Sequence, residues 1–371
     1  MLIYLLPFLL TAFFSVLYKL DILRNNTIFY AAALFSLSIF SGFRFEVGPS
    51  DWIAYRQFFD TLELDNDILN LYQSKNQQFE IGYYCINYLI KYLGGDYSIV
   101  FLAASFFLSY ALYKFTDYSS INKFYILTIY IGYSYILLNF AQVRQSIAIG
   151  FFILGCNCYL RSRDKFLPLI IASFGLLFQY SSIVYIAILA GTIFFPGVKR
   201  GNLLKIFFVA GLLIFTTIQF TSFYSIIIQL FPESIIGEKI AIYQDNLSEQ
   251  GSGQIVLAGY FFLLSLYLIH NLTLVEIKER FILYYAIYIS FLACLSVLIF
   301  PGSYVMFSRI LSVAAIFQAF AFALLMERRN NVINLLIFML TTAIGFIYLY
   351  RLIYFYEDEF IPYNFNTFLF N

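Results

Sequence analysis

The sequence predicts an all-α membrane protein whose helices cross the bilayer many times. Of its 371 residues, 62% are hydrophobic and 12% are charged, and the formal net charge is +1. Soluble domains carry about twice that share of charged residues. Apolar runs long enough to cross a hydrocarbon layer of about 30 Å recur along the whole chain. We therefore expect one integral membrane domain over residues 1–371, and the charge balance does not favour nucleic acid as a partner.

About twelve apolar segments (range 10–14) are candidate transmembrane helices. They cover residues 2–19, 27–43, 97–113, 124–140, 143–160, 166–178, 180–195, 203–222, 255–275, 282–300, 308–326 and 332–350. The stretch 166–195 would be about 45 Å long as one helix, which is too long for one upright span and too short for two. Because polar residues interrupt it at 179–182, we expect two short helices that meet at an elbow. A single kinked helix is the alternative.

Clustered basic residues predict the orientation, because such loops stay in the cytoplasm. The clusters are Lys19 with Arg24; Arg161, Arg163 and Lys165; Lys199, Arg200 and Lys205; Lys278 with Arg280; and Arg328 with Arg329. All five lie inside if the tyrosine-rich segment 79–93 does not cross but forms an amphipathic helix on the outer interface. Lys114 and Lys123 then also lie inside. The loop 44–96, the loop 224–254 and the tail 354–371 are external.

Three arginines at helix ends fall on the external side with this orientation: Arg44, Arg144 and Arg309. An arginine inside a membrane protein is expected to face protein or a wet cavity rather than lipid. The planar guanidinium offers paired donors that suit the oxygens of a diphosphate. Interfacial arginines that touch lipid headgroups are the alternative interpretation. The elbow at Gln179 falls on the same side.

Asp51 follows the turn Gly48–Ser50 and is expected to begin a short helix that carries Tyr55. A structural helix cap is one interpretation of this carboxylate. The other is a general base that removes a proton from a sugar hydroxyl, with Glu46 and Glu80 as weaker candidates. The four cysteines lie in apolar segments and the one histidine, His270, precedes a cytoplasmic loop, so we predict no metal site.

Several short motifs, taken together and in order, resemble a known family. They are Arg44 with Gly48-x-x-Asp51-x-x-x-Tyr55, Glu80-Ile-Gly-Tyr83, Val143-Arg144-Gln145-Ser-Ile-Ala148, Leu177-Phe178-Gln179-Tyr180-Ser181, a late helix led by an arginine, and Ile361-Pro362-Tyr363. Over nearly its whole length the chain is similar to the EpsG-type Wzy polymerases of bacterial O-antigen and exopolysaccharide.

The resemblance implies a GT-C-like glycosyltransferase in the bacterial cytoplasmic membrane, with its active site facing outward. Such a polymerase transfers a growing glycan from undecaprenyl diphosphate to a lipid-linked repeat unit, without a cofactor or a metal. Its partners are these undecaprenyl-diphosphate-linked oligosaccharides, the lipid bilayer and a chain-length regulator. Our hypothesis is that Asp51, Arg144 and Arg309 are catalytic, with Asp51 as the base and the two arginines, together with Arg44, on the departing diphosphate. The predicted substrate-binding residues are Arg44, Tyr55, Glu80, Gln145, Gln179 and Ser181.

One position departs from the family pattern, because the family usually has a histidine where this chain has Gln179. We therefore expect Gln179 to donate a hydrogen bond and Asp51 to take the proton. Two other functions stay open. One is another lipid-linked glycosyl transfer, such as O-antigen ligation, which differs only in the acceptor. The other is a flippase for lipid-linked oligosaccharide, for which charges at mid-depth and a repeated half-structure are expected, and neither is visible in the sequence.

Overall fold

The computed structural model describes residues 1–22, 27–49, 51–64, 79–118, 121–162, 164–194, 252–276, 279–299, 304–328 and 332–363. Within these ranges the chain is helical apart from its connecting turns. It divides into two compact units, Met1–Ala190 with Asn330–Asn371, and Gly191–Arg329. The prediction of one integrated membrane domain over residues 1–371 stays a prediction.

The helices are numbered in chain order. They are α1 Leu2–Lys19, α2 Thr27–Gly42, α3 Asp51–Thr61, α4 Ile81–Tyr92, α5 Tyr97–Thr116, α6 Lys123–Tyr130, α7 Val143–Ser162, α8 Leu167–Ser173, α9 Ile183–Phe194, α10 Ser252–Asn271, α11 Arg280–Ile299, α12 Tyr304–Arg328, α13 Val332–Phe355 and α14 Glu357–Phe360. Helices α10, α11 and α12 pack together in the second unit, where α11 contacts both of its neighbours.

Among the residues described, seven helices are long and apolar enough to cross a membrane: α1, α5, α7, α10, α11, α12 and α13. Helices α2, α8 and α9 are apolar but shorter. The predicted segment 203–222 and the predicted loop 224–254 lie outside the described residues. The expected all-helical membrane class is confirmed, whereas the count of about twelve spans and the GT-C-like arrangement stay predictions.

The predicted segment 124–140 forms α6 and then two wider π-helical stretches, Ile131–Tyr135 and Leu137–Ala141. In a π-helical turn the backbone N–H bonds to the carbonyl five residues earlier, and such turns often lie at functional sites. Here the amide of Gln142 donates to the carbonyl of Leu137 at 2.8 Å. The helix stops at Gln142 and α7 begins at the next residue, so a helix C-terminus and a helix N-terminus meet at this point.

The predicted elbow is present. Helix α8 tightens into a 3₁₀ turn over Phe174–Leu177, Gln179 is extended (φ −157°, ψ 111°), and a second 3₁₀ turn over Tyr180–Ser182 leads into α9. The backbone is therefore broken, as the two-helix interpretation expects, and not merely bent. The predicted interfacial helix is also present as α4, which packs on α5. Its position at a membrane interface stays a prediction.

The first unit has two chemically different ends. At one end the carboxylate of Asp117 lies 3.7 Å from the ammonium of Lys123 and 3.7 Å from the guanidinium of Arg161. Arg161 also donates to the carbonyl of Lys114 at 3.3 Å, so residues predicted to share the cytoplasmic side do gather. Arg144 begins the same helix α7 and lies about 25 Å away at the other end. The membrane side of each end stays a prediction.

Candidate active site

An ion pair between Arg144 and Glu80 forms the centre of the candidate site. Arg144 is the second residue of α7, and Glu80 is the residue that precedes α4. Nη1 of Arg144 donates to Oε2 of Glu80, and the two side chains are 19% and 5% exposed. The guanidinium lies over the ring of Phe79, 4.7 Å from its centroid. Its Nε is buried and has no hydrogen-bond partner in the described part of the chain.

The elbow between α8 and α9 lies against this ion pair. The other carboxylate oxygen of Glu80 accepts a hydrogen bond from the amide of Tyr180 at 3.4 Å. Gly82 allows the close approach, because a Cβ there would lie only 2.7 Å from the carbonyl oxygen of Leu177. Gln179 is buried, and its Nε2 donates to the hydroxyl of Ser181 at 3.3 Å. The structure therefore places Gln179 and Ser181 beside Glu80.

Helix α3 brings Tyr55 to the same site. The Tyr55 hydroxyl lies within hydrogen-bonding reach of the Arg144 guanidinium. The Tyr55 ring packs against Phe79 and Tyr83 at centroid distances of 5.7 and 5.4 Å. Tyr55 is buried because α3 lies on an aromatic cluster formed mainly by α4 and α5. Three predicted site residues from separate parts of the sequence, Tyr55, Glu80 and Arg144, are thus neighbours.

Asp51 begins α3, as the sequence predicts, and its side chain is exposed. It lies four residues before Tyr55, so the two side chains are on one face of the helix with β carbons about 6 Å apart. The carboxylate is therefore one helical turn from the residue that contacts Arg144. An exposed carboxylate at this place can meet a substrate hydroxyl, whereas Glu80 is held by Arg144 and the Tyr180 amide.

Arg44 has a different environment. Only 1% of this residue is exposed, and its guanidinium lies between the rings of Phe101 and Phe140, 4.2 and 4.8 Å from their centroids. It donates to the carbonyls of Ser41 and Asn139 at 2.5 and 2.7 Å, and to that of Phe140 at 3.1 Å. Burial lowers the pKa of Arg44, which lies between α2 and α3, to about 10, so it stays protonated at neutral pH.

The carbonyls bonded by Arg44 include two at the C-terminal end of the π-helical stretch, where backbone acceptors lack helical partners and cations are favoured. Arg44 therefore fastens this helix end to the end of α2. Direct contact with a substrate, which the sequence predicts for Arg44, would require it to leave these partners. The geometry favours a structural role in which Arg44 supports Phe101, whose ring packs against Tyr55 at 6.0 Å.

The C-terminal segment folds back onto the turn before Asp51. The carbonyl of Glu359 accepts a hydrogen bond from the amide of Gly48 at 2.8 Å, and the Tyr4 hydroxyl donates to the carbonyl of Phe360 at 2.8 Å. Tyr363 stacks on Phe40 with 4.5 Å between centroids. Gly48 has a φ of 115°, which side-chain-bearing residues rarely adopt. The turn at Gly48, in the first motif, is therefore packed against the C-terminal segment that carries the last motif, Ile361-Pro362-Tyr363.

Glu359 is a candidate site residue that the sequence analysis missed. Burial and the negative charge of Asp51 raise the pKa of Glu359, so the two carboxylates are electrostatic neighbours. Its Oε2 atom is buried without a hydrogen-bond partner among the described residues. The pKa of Tyr356 is raised as well: burial is the largest cause, and the negative charges of Glu359 and Asp51 add to it. The only sequence signal was the acidic run 357–359, in which nothing distinguishes the third residue.

Arg56 is a second cation near the site, one residue after Tyr55. It forms ion pairs with Glu46 at 2.5 Å and with Asp60 at 3.6 Å. The hydrogen bond to Glu46 raises the pKa of Arg56. Glu46, a weaker candidate for the base in the sequence analysis, is thus engaged with a partner of its own. Among the exposed carboxylates at this end, Asp51 stays the better candidate because it shares the Tyr55 face of α3.

The remaining predicted site residues are Gln145 and Arg309. Gln145 is buried and its Nε2 donates to the hydroxyl of Tyr185 on α9 at 3.1 Å. Arg309 is half-buried near the start of α12 and belongs to the second unit, so its convergence with Arg144 stays a prediction. Within the described ranges, no group of three or more His, Cys, Asp or Glu side chains could hold a metal ion. The prediction of metal-free and cofactor-free chemistry stays a prediction.

The fold and the site define a class: a multi-span helical membrane protein with a charged site at one end of its first unit. The chain matches the family model described as "EpsG family" over residues 27–365. It therefore belongs to the EpsG family, as the motifs predicted. No curated protein and no solved structure matches the chain.

Proposed function

We propose that this chain is a polysaccharide polymerase that elongates O-antigen or exopolysaccharide at the outer face of the bacterial cytoplasmic membrane. It transfers a growing glycan from undecaprenyl diphosphate to a lipid-linked repeat unit. Family membership supports the polymerase class. The observation that carries the proposal is the placement of Arg144, Glu80, Tyr55 and the Gln179 elbow together at one end of α7, with Asp51 one turn away.

In the proposed reaction, a hydroxyl oxygen of the acceptor sugar forms a bond to the anomeric carbon of the donor glycan. The bond from that carbon to the diphosphate oxygen breaks, and undecaprenyl diphosphate leaves with the electron pair. Asp51 accepts the proton of the attacking hydroxyl, because it is an exposed carboxylate one helical turn from Tyr55, the residue that contacts Arg144.

Arg144 stabilises the negative charge that develops on the departing diphosphate. Its guanidinium stands in the first turn of α7, where the helix dipole adds partial positive charge. Glu80 and Phe79 fix the guanidinium in place, so little reorganisation is needed when charge develops. Arg309 is proposed as a second cation for the diphosphate. Gln179, Ser181 and Gln145 supply polar contacts to the sugars, and a chain-length regulator is a proposed partner.

Deletion of the gene followed by complementation tests the function. A strain without the polymerase should carry single repeat units on its carrier lipid or lipid A, seen as one band where the wild type gives a ladder of chain lengths. Complementation with Asp51→Asn should leave the single band at a normal protein level, whereas Asp60→Asn, an exposed carboxylate on the same helix, should restore the ladder.

The other outcomes are distinct. Absence of all repeat units would favour a flippase or a ligase. Unchanged chain length with altered sugar content would favour another glycosyl transfer. A normal ladder from Asp51→Asn would remove the base assignment and leave the polymerase itself in place.

A further inference from the structure

An apolar cavity lies one helical turn from the Arg144 and Glu80 ion pair. Its volume is about 220 Å³, and its walls come from α4, α5, α7 and the elbow. Ile147, three residues after Arg144 on α7, lines the cavity about 4.5 Å further along the helix axis. Phe178, the neighbour of Gln179, lines it from the elbow, and Ile86 lines it from α4. The cavity is therefore continuous with the elements that build the charged site.

The walls of the cavity are suited to a hydrocarbon. Three phenyl rings line it. The ring centroids of Phe107 and Phe151 are 4.6 Å apart, and those of the stacked Phe151 and Phe178 rings are 5.8 Å apart. Ala103 and Ala104 leave the space open on the side of α5, since a methyl group is all that either projects. An apolar cavity of about 150 Å³ stays dry and can bind benzene, so this larger one can hold a branched hydrocarbon segment.

The guanidinium of Arg144 next to the cavity indicates which chemical group the hydrocarbon would be attached to. Nη1 of Arg144 is bonded to Glu80, but its buried Nε has no hydrogen-bond partner in the described part of the chain. A buried donor without a partner is costly, so a ligand that supplies an acceptor there gains affinity. A molecule with an anionic head of several oxygens and an apolar tail would satisfy both features at once.

We propose that this cavity binds the first isoprenoid units of a polyprenyl diphosphate while Arg144 binds the diphosphate. This inference rests on the proposed function, which makes such a lipid the donor. The cavity would then also position the substrate. Binding the hydrocarbon next to the diphosphate fixes the anomeric carbon of the donor relative to Asp51 and Tyr55. Methyl branches of the isoprenoid chain pack on the three phenyl rings.

Filling the cavity tests this subsite. Ala103→Phe places a ring in the space, and Ala32→Phe is the matched control on α2, where the side chain is exposed and does not line the cavity. The purified full-length protein in nanodiscs is titrated with farnesyl diphosphate and with inorganic diphosphate, and binding to empty nanodiscs is subtracted. Dodecyl diphosphate, whose linear chain has the same main-chain length as farnesyl, is the third probe.

The expected result is that Ala103→Phe weakens farnesyl diphosphate binding about tenfold, the effect of about two lost CH₂ burials. Inorganic diphosphate binding should stay within about twofold of wild type, which shows that the fold and Arg144 are intact. Ala32→Phe should change neither. Arg144→Gln should weaken both ligands, because both carry the diphosphate.

Four results would overturn the subsite. They are no binding of farnesyl diphosphate to the wild type, an unchanged affinity in Ala103→Phe, an equal loss for both diphosphates in that variant, and a loss in Ala32→Phe as well. The isoprenoid assignment would be overturned if dodecyl diphosphate bound as tightly as farnesyl diphosphate and lost as much affinity in Ala103→Phe. Failure of the polymerase function is a separate outcome, since it shows as absent chain growth while these affinities keep the expected pattern.

Discussion

At the scale of single residues, the charged groups of the site differ mainly in what holds them. Arg44 and Arg144 look alike in the sequence, because each stands at the end of an apolar segment. In the structure the buried Nε of each lacks a hydrogen-bond partner among the described residues. Arg44, however, is only 1% exposed and donates to three backbone carbonyls, whereas the Arg144 side chain is 19% exposed and pairs with one carboxylate. Arg144 is therefore the better placed of the two to meet a ligand.

The ion pair itself gives a first prediction. Glu80→Gln leaves the guanidinium of Arg144 without a countercharge in a mostly buried site. Removing one partner of a buried ion pair lowers the free energy of unfolding by about 3–5 kcal/mol. Arg144→Gln in the same background removes that unpaired charge, so the double variant should be more stable than Glu80→Gln alone. Thermal unfolding in detergent measures both, and the polysaccharide ladder should stay absent in the double variant. Additive losses of stability would contradict this coupling.

The carboxylate of Glu359 gives a second prediction. Its pKa is raised in the folded protein from an ordinary value of 4.5, so the ionised form is disfavoured by folding. The destabilisation is absent below the ordinary value and grows as the pH rises through the raised one. Glu359→Gln should therefore unfold at a higher temperature than wild type at pH 7, and the difference should vanish towards pH 4.

Asp358→Asn, which changes an exposed neighbour of Glu359, is the control and should show no such pH-dependent gain. A difference between Glu359→Gln and wild type that is constant across this range, or largest in acid, would rule out the proposed repulsion between Glu359 and Asp51.

At the scale of the elements, the sequence predicted what depends on local chemistry. The polar interruption at Gln179 predicted the broken backbone between α8 and α9, and the turn Gly48–Ser50 predicted the start of α3 at Asp51. The π-helical stretches before Gln142 were not predicted, because extra residues in a helical turn leave no periodic signal. Neither was the return of Glu359 to Gly48, a contact between opposite ends of the chain.

The contact between α4 and the elbow gives a third prediction. Gly82→Ala places a methyl group 2.7 Å from the Leu177 carbonyl oxygen, so α4 must move away and carry Glu80 with it. We expect a loss of about 1–3 kcal/mol in the free energy of unfolding and shortened polysaccharide chains.

Gly191→Ala is the matched control, because a Cβ at that position in α9 would meet nothing within 4 Å. Within a helix this change should stabilise by up to about 1 kcal/mol. Normal chain lengths from Gly82→Ala would show that the close approach of α4 to the elbow does not matter for the reaction.

At the scale of the whole molecule, the sequence predicted that basic residues gather at one end of the helices and the site residues at the other. In the first unit Lys114, Lys123 and Arg161 gather at one end, and Glu80, Arg144 and the elbow gather at the other. Clusters of basic residues can be read from the sequence alone, and because such clusters favour one side of a membrane, this grouping was predictable. The partner of each site residue was not, because it depends on packing between segments far apart in the chain.

Arg309 in the second unit gives a fourth prediction. If it supplies a second cation for the diphosphate, Arg309→Ala should slow chain growth by a factor comparable to the loss of Arg144, about 10²–10³. Arg328→Ala is the control on α12, where the native guanidinium pairs with Glu276 and Glu279 near the opposite end of the helix. Chain growth at the wild-type rate in Arg309→Ala would leave Arg144 as the cation of the site.

The most direct measurement is the rate of chain growth by the purified protein on a lipid-linked repeat unit. We predict that Arg144→Ala reduces this rate by about 10²–10³, and that Arg144→Lys reduces it nearly as much, because a point charge cannot replace the planar guanidinium. Arg161→Ala, at the other end of α7, should keep the wild-type rate. Chain growth at the wild-type rate in Arg144→Ala would contradict the central claim that this guanidinium stabilises the departing diphosphate.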